Sequence, residues 1–208
     1  MPITHEEIIS SILFICPFAH PSVMIRKDAL LKLDFIYRED FKHSEDYDLW
    51  SRLVFTGNCK NIPEYLLKYR VHGAQASILH KEQNHKNVIK IQSNILKSFD
   101  FTPSPDESTI LLNILKGISR KNKNYLMETG ALINKLYNLF SKKYPQYGET
   151  HAQMLVSRWC KICGNSGLGI TNVKNAFNLS FFKIKYLKFT DLIKLIYKTC
   201  INYQQLEK

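Results

Sequence analysis

Three carboxylates, Glu45, Asp46 and Asp48, fall directly after Ser44, a residue type suited to open a helix. An aspartate in the first turn of a helix sits where the backbone dipole favours negative charge. It stays ionised at neutral pH and can take a proton from a hydroxyl. The same dipole gives acids at that place a purely structural role, and the triplet alone does not separate the two readings. His20 and His72 are the next groups able to move a proton or hold a metal ion. His20 lies beside Pro21 and Ser22, a run that equally suits turn capping, and His72 closes an extended stretch where a histidine is either a ligand or a polar surface residue. Cys160-Lys161-Ile162-Cys163 is a CxxC pair, but a tetrahedral zinc site needs two further ligands and only His151 lies nearby. A redox role lacks the strand-to-helix context, so the spacing predicts two free thiols in or beside a helix.

These groups depend on elements that place them. Thr4 followed by Glu7 is a capping-box pattern, and Ile8, Ile9, Ile12 and Leu13 then share one helical face until Pro17. Ser22-Val23-Met24-Ile25 reads as a short buried strand, and residues 26–33 read as a short helix. With Ser44 as N-cap, Leu49, Trp50, Leu53 and Val54 form the apolar face of the helix that carries the acids, with Gly57 as its stop. Tyr47 and Trp50 have aromatic faces able to stack on a ligand, although the register of Trp50 with Leu53 and Val54 favours a core role. Asn61-Ile62 and residues 65–71 read as extended pieces flanking Pro63.

From Ser77 the pattern turns helical, with Lys and Asn assigned to exposed faces, over residues 78–99, 106–118, 125–141 and 151–162. Thr102-Pro103-Ser104-Pro105 is a linker, because two prolines so close resist both helix and ladder.

The 208 residues, 45% hydrophobic and 23% charged, suit one good core or a small domain with a helical appendage. The net charge of +11 is unevenly spread: residues 1–80 hold 9 Lys+Arg against 10 Asp+Glu, and residues 81–208 hold 20 against 8. A basic second part points to an anionic membrane surface or to nucleic acid, and no nucleic-acid motif accompanies the charge. Residues 175–203 interleave aromatics with Lys183, Lys185 and Lys188, which suits either a membrane-surface segment or a helical cap with a solvated basic face. Five widely spaced cysteines without a secretory leader imply a reducing cytoplasm, with a peripheral place at the inner face of the membrane as the extension of the basic tail. The longest apolar stretch, residues 8–19, is broken by serines and Pro17, so no transmembrane helix is expected.

Taken in chain order, four blocks carry a resemblance. They are Cys16-Pro17-Phe18-Ala19-His20-Pro21-Ser22-Val23-Met24-Ile25-Arg26-Lys27, Glu45-Asp46-Tyr47-Asp48-Leu49-Trp50-Ser51-Arg52-Leu53, Asn61-Ile62-Pro63-Glu64, and Leu67-Lys68-Tyr69-Arg70-Val71-His72 with Gln75 and Ser77. In this order and spacing, residues 2–77 resemble the second half of the catalytic domain of family 2 glycosyltransferases with the GT-A fold. The resemblance implies an α+β, predominantly helical chain: an incomplete GT-A α/β domain with few strands over residues 1–77, followed by a basic helical region over residues 78–208.

It also implies roles. Asp46, at the second acidic position of the family's xED motif and next to Glu45, would be the catalytic base that deprotonates an acceptor hydroxyl, with inversion at the donor sugar. Asp48 would project away from Asp46 and be structural. His72 matches a histidine that helps hold the divalent ion, Mn2+ or Mg2+, bridging the donor diphosphate. His20 and Ser22 match a substrate-lining segment, and Arg70 and Gln75 are substrate-binding positions by the same carry-over. The partners implied are a nucleotide-sugar donor and a glycan or lipid-linked acceptor.

Two departures stand out. Leu33-Asp34-Phe35 replaces a frequent glycine before the aromatic, and the family's first strands and DxD motif do not precede the xED block. Asp46-Tyr47-Asp48 has the letters D-x-D but lies inside that block. The expectation is a truncated or split glycosyltransferase, inactive alone and completed by a separately encoded N-terminal half. A non-enzymatic basic helical protein that binds a membrane surface or a partner enzyme is the alternative.

Overall fold

Thr4 opens the first helix reciprocally: its hydroxyl accepts from the Glu7 N–H at 3.3 Å, and the Glu7 carboxylate accepts from the Thr4 N–H at 3.3 Å. Helix α1 (His5–Ser11) then buries Ile8 and Ile9, and the turn beyond it buries Ile12 and Leu13. A computed structural model describes residues 1–70, 79–169 and 171–204, which form two compact units, Met1–Pro103 and Ser104–Lys208. The first unit continues with α2 (Lys27–Leu30), α3 (Glu45–Leu53) and α4 (Lys81–Lys97).

No strand occurs among the described residues. The run expected as a buried strand instead has a 3-10 turn at His20–Ser22, after which Met24 is fully exposed. An extended run becomes a strand only when a neighbour accepts and donates along its edge, and no described segment does so here. Residues 65–70 are likewise irregular and exposed.

Helix α3 turns Leu49 and Trp50 inward, each at most 2% exposed, with Val54 just past its end. The helix ends at Leu53 with Val54 as C-cap, so Gly57 is not its stop. Ser44 does stand at the N-cap, yet its side chain makes no capping bond.

Helix α4 packs against α3 and belongs to the first unit, which ends at Pro103, inside the Thr102–Pro105 segment. Asn87 corrects a sequence expectation. It is 0% exposed and, with Gln92 at 1%, shares the inward stripe of Val88, Ile91 and Ile95 instead of a solvated face.

The second unit begins with a second capping box, Ser104 with Glu107, and Pro105 at the first position of α5 (Pro105–Lys116). Gly117 closes that helix at φ +67°, a left-handed conformation that glycine adopts without steric cost. Asn122 caps α6 (Lys123–Lys143) by accepting from the Tyr125 N–H. Helix α7 (Gly148–Gly164) is the centre of the unit, packed by α5, α6, α8 (Thr171–Ala176) and α9 (Phe189–Gln204). Ala152, Leu155, Val156, Trp159 and Ile162 of α7 are buried, and Cys160 and Cys163 lie in the same core. No helix among the described residues is long and apolar enough to cross a membrane.

Candidate active site

The first turn of α3 carries two aspartates with opposite environments. Asp48 is 0% exposed and lies between two guanidinium groups. Arg38 donates to it from Nε at 3.0 Å and from Nη2, and Arg52 from Nε at 3.2 Å and Nη2 at 2.9 Å. Arg52 also donates to the carbonyls of Phe35 and Ile36, at 2.6 and 2.7 Å, and Arg38 lies over the Phe41 ring. The buried carboxylate thus gathers the 35–41 segment onto α3 through charge-assisted bonds. With every donor it meets already a guanidinium, Asp48 has no role as a metal ligand, and the letters D-x-D at 46–48 do not make one.

Asp46 is half-buried and only lightly engaged. Its Oδ1 accepts from the Tyr47 N–H at 2.7 Å, and its Oδ2 faces the Cys16 thiol at 4.0 Å. Burial first, and the Asp46 charge second, push the Cys16 thiol up to about 12, so it stands beside the aspartate as a neutral S–H group. Glu45 is half-buried too, and its Oε2 has no hydrogen-bond partner among the described residues.

The segment 16–20 forms the wall next to these carboxylates. Phe18 meets the Trp50 ring edge-on at 5.4 Å, and His20 meets it edge-on at 6.1 Å. His20 Nε2 lies 3.1 Å from the Tyr37 hydroxyl, and both residues are exposed. Trp50 is itself core, and so is Tyr47, whose hydroxyl donates to the Ile12 carbonyl at 2.6 Å. Ser22 donates to the Ala19 carbonyl at 2.8 Å, a turn-closing bond. Arg70 is exposed, and His72 and Gln75 lie outside the described residues.

Asn61, in one of the matched blocks, and three amides of α4 not singled out from the sequence hold this arrangement. Asn61 Nδ2 donates to the carbonyls of Pro17 at 2.8 Å and Pro2 at 2.6 Å, tying the 16–20 wall to the chain start. From α4, Asn84 donates to the His43 carbonyl at 3.1 Å and to the Ser44 hydroxyl at 3.0 Å. Asn87 donates to the Lys42 carbonyl at 2.8 Å, and Gln92 to the Leu13 carbonyl at 3.0 Å. His43 sits at φ +70°, so the turn into α3 is backbone-strained and its carbonyls are received by these amides. Residues 84, 87, 88, 91 and 95 share one helical stripe in the sequence, but the carbonyls these amides meet leave no local signal.

Among the described residues no three His, Cys, Asp or Glu side chains converge as a metal site. The divalent ion implied by the resemblance therefore finds no complete donor set among them, and no step below is routed through it. The CxxC thiols are both buried; burial pushes Cys160 up to about 12 and Cys163 higher still. His151 stacks on Phe140 at 3.8 Å within the same unit.

Two curated proteins share part of this sequence. One is an uncharacterized glycosyltransferase of Haemophilus influenzae, 31% identical over 91 residues, which are 44% of this chain and 28% of that protein. The other is the O-antigen biosynthesis glycosyltransferase WbnJ of Escherichia coli, 42% identical over 73 residues, 33% of this chain and 27% of that protein. The chain thus spans less than a third of the length of the curated relatives it matches. No family model matches, and no solved structure matches. The partial matches support a glycosyltransferase relationship for this chain.

Proposed function

We propose that the first unit is the acceptor side of a family 2, GT-A glycosyltransferase, with Asp46 as the catalytic base. The observation that carries this reading is the contrast within one helical turn. Asp48 is neutralised by Arg38 and Arg52, whereas Asp46 Oδ2 pairs with no cation among the described residues and lies next to a neutral thiol. Oδ1 is fixed by the Tyr47 N–H, so Oδ2 is the atom left to receive a proton.

In the proposed reaction Oδ2 takes the proton of an acceptor hydroxyl. The electron pair of that oxygen forms the bond to the anomeric carbon of a nucleotide sugar. The bond from that carbon to the diphosphate oxygen breaks, and its pair leaves on the diphosphate. Attack from the face opposite the leaving group inverts the anomeric centre. His20 and Tyr37, exposed on the wall beside Trp50, offer aromatic surface and polar tips to the acceptor sugar, and Glu45 supplies a second carboxylate at its edge.

The test is glycosyl transfer from radiolabelled nucleotide sugars to a lipid-linked or free glycan acceptor, using the chain together with whatever protein supplies donor binding. Asp46→Asn should lower turnover on the order of 100-fold or more, as loss of a general base does. Turnover within a factor of about three of wild type would sink the assignment.

A further inference from the structure

The second unit carries a feature that this chemistry does not use. Helix α9 has two apolar faces. One is inward, where Leu195 and Thr199 are 1% and 6% exposed in the packing against α7 and α8. The other points outward: Phe189, Ile193, Ile196 and Tyr197 are 74%, 50%, 47% and 64% exposed. These positions recur at i, i+4, i+7 and i+8, so they form one continuous stripe of about 12 Å along the helix. Ile184, in the turn just before α9, is also 71% exposed. Scattered apolar residues on a surface need no cause, but an ordered stripe of large side chains on one helix does.

The rim of the stripe selects its occupant. Lys183, Lys188 and Lys194 are exposed around it, and over residues 174–199 six lysines face a single acid, Asp191, whose Oδ2 is buried. Lys198 is turned inward to Asn165, and Lys185 meets Glu149 at 2.9 Å in an exposed pair of little weight. A second copy of this chain would bring the same positive field to the stripe. Nucleic acid would satisfy the lysines and leave the isoleucines in water. An anionic bilayer satisfies both, because its headgroups attract the lysines while its acyl boundary takes the apolar side chains.

We propose that the outward face of α9, formed by Phe189, Ile193, Ile196 and Tyr197 and rimmed by Lys183, Lys188 and Lys194, docks on an anionic phospholipid bilayer with the helix lying in the interface plane. The inference concerns the second unit alone and stands or falls independently of the role of Asp46.

Flotation of the full chain with vesicles tests it. Binding is expected on mixed phosphatidylcholine and phosphatidylglycerol and absent on pure phosphatidylcholine. Replacing Lys183, Lys188 and Lys194 by Gln should weaken it on the order of fivefold per lysine at low salt. Ile193→Ser with Ile196→Ser should weaken it about tenfold or more, with the far-ultraviolet spectrum unchanged. Tyr197→Trp provides a second readout in the otherwise intact chain. Its emission should be quenched by brominated anionic lipid, while buried Trp50 and Trp159 are not. Three results would overturn the proposal: equal flotation of wild type and the serine variant, no quenching of the new tryptophan, or a stripe-dependent dimer without vesicle binding. Retention on RNA that depends on the lysines and ignores the isoleucines, without flotation, would overturn it as well.

Discussion

Replacing Asp46 and Asp48 one at a time by asparagine should separate function from folding within a single helical turn. Asp48 receives Nε and Nη2 of both Arg38 and Arg52 on a carboxylate with no solvent exposure. Asn keeps the shape but removes the charge, and turns an NH2 group toward guanidinium donors. Breaking a buried pair by removing one partner costs about 3–5 kcal/mol. The two arginine side chains are 34% and 21% exposed, so water partly compensates them and the lower end applies, about 3 kcal/mol. For a cooperative unit of this size that corresponds to a fall in Tm on the order of 10–20 °C. Asp46→Asn retains the oxygen that accepts from the Tyr47 N–H, so its stability change should stay within about 0.5–1 kcal/mol while glycosyl transfer is lost. Thermal melts followed by circular dichroism, with hydrogen exchange over residues 44–54, provide the assay. A melt of Asp48→Asn within about 2 °C of wild type would refute the reasoning, as would equal destabilisation by both variants.

Other outcomes follow from the same contacts. The neutral form of each desolvated thiol is favoured in the folded state, and Cys16, Cys59 and Cys160 are raised from an ordinary 9.0 to about 12, 11 and 12. Stability should therefore be level below pH 9 and fall as pH rises from there toward the folded values, because the unfolded chain ionises first. Iodoacetamide at pH 8 should label these cysteines far more slowly than in the denatured chain, and rapid labelling of Cys160, read by mass spectrometry, would contradict the packing of α7. Titration of the chain alone with a nucleoside diphosphate and Mn2+ should show no micromolar binding by calorimetry, since no three His, Cys, Asp or Glu side chains converge on a metal among the described residues; a clear micromolar isotherm would refute this. Ser104→Ala should cost about 1 kcal/mol by removing the α5 capping box, measured by urea denaturation, and no change would argue against that cap.

Much of the local structure was legible because its causes are local. Thr4 with Glu7 is a helix start in any context, and the register of Leu49, Trp50 and Val54 fixes which side of α3 is buried; Ser104 and Pro105, read as linker, instead cap and open α5. The helices expected over 106–118, 125–141 and 151–162 correspond to α5, α6 and α7, with ends shifted by a few residues. What failed depended on distant partners. Ser22 to Ile25 has strand-like residues, but a strand exists only through a ladder, and none is formed by the described chain. Asn84 and Asn87 looked like solvated positions because an amide's side-chain partner is invisible in sequence when it is a backbone carbonyl some forty residues away. His43 carries no glycine-like signal for its positive φ. The candidate base was legible from its motif; the two arginines that distinguish Asp48 from Asp46 were not.

The amide contacts of α4 bear on how such a sequence is inherited and reused. The letters that carry the resemblance end near Ser77, while the groups that receive the carbonyls of Leu13, Lys42 and His43 begin at Asn84. A graft of residues 1–77 onto a foreign scaffold would transplant the acidic motif without its splint, leaving the carbonyls of Lys42 and His43 at a strained turn, and that of Leu13 beyond α1, to find new donors. The heritable unit at this site is longer than its recognisable text, and a recombination point that respects the motif alone would cut through the site's support.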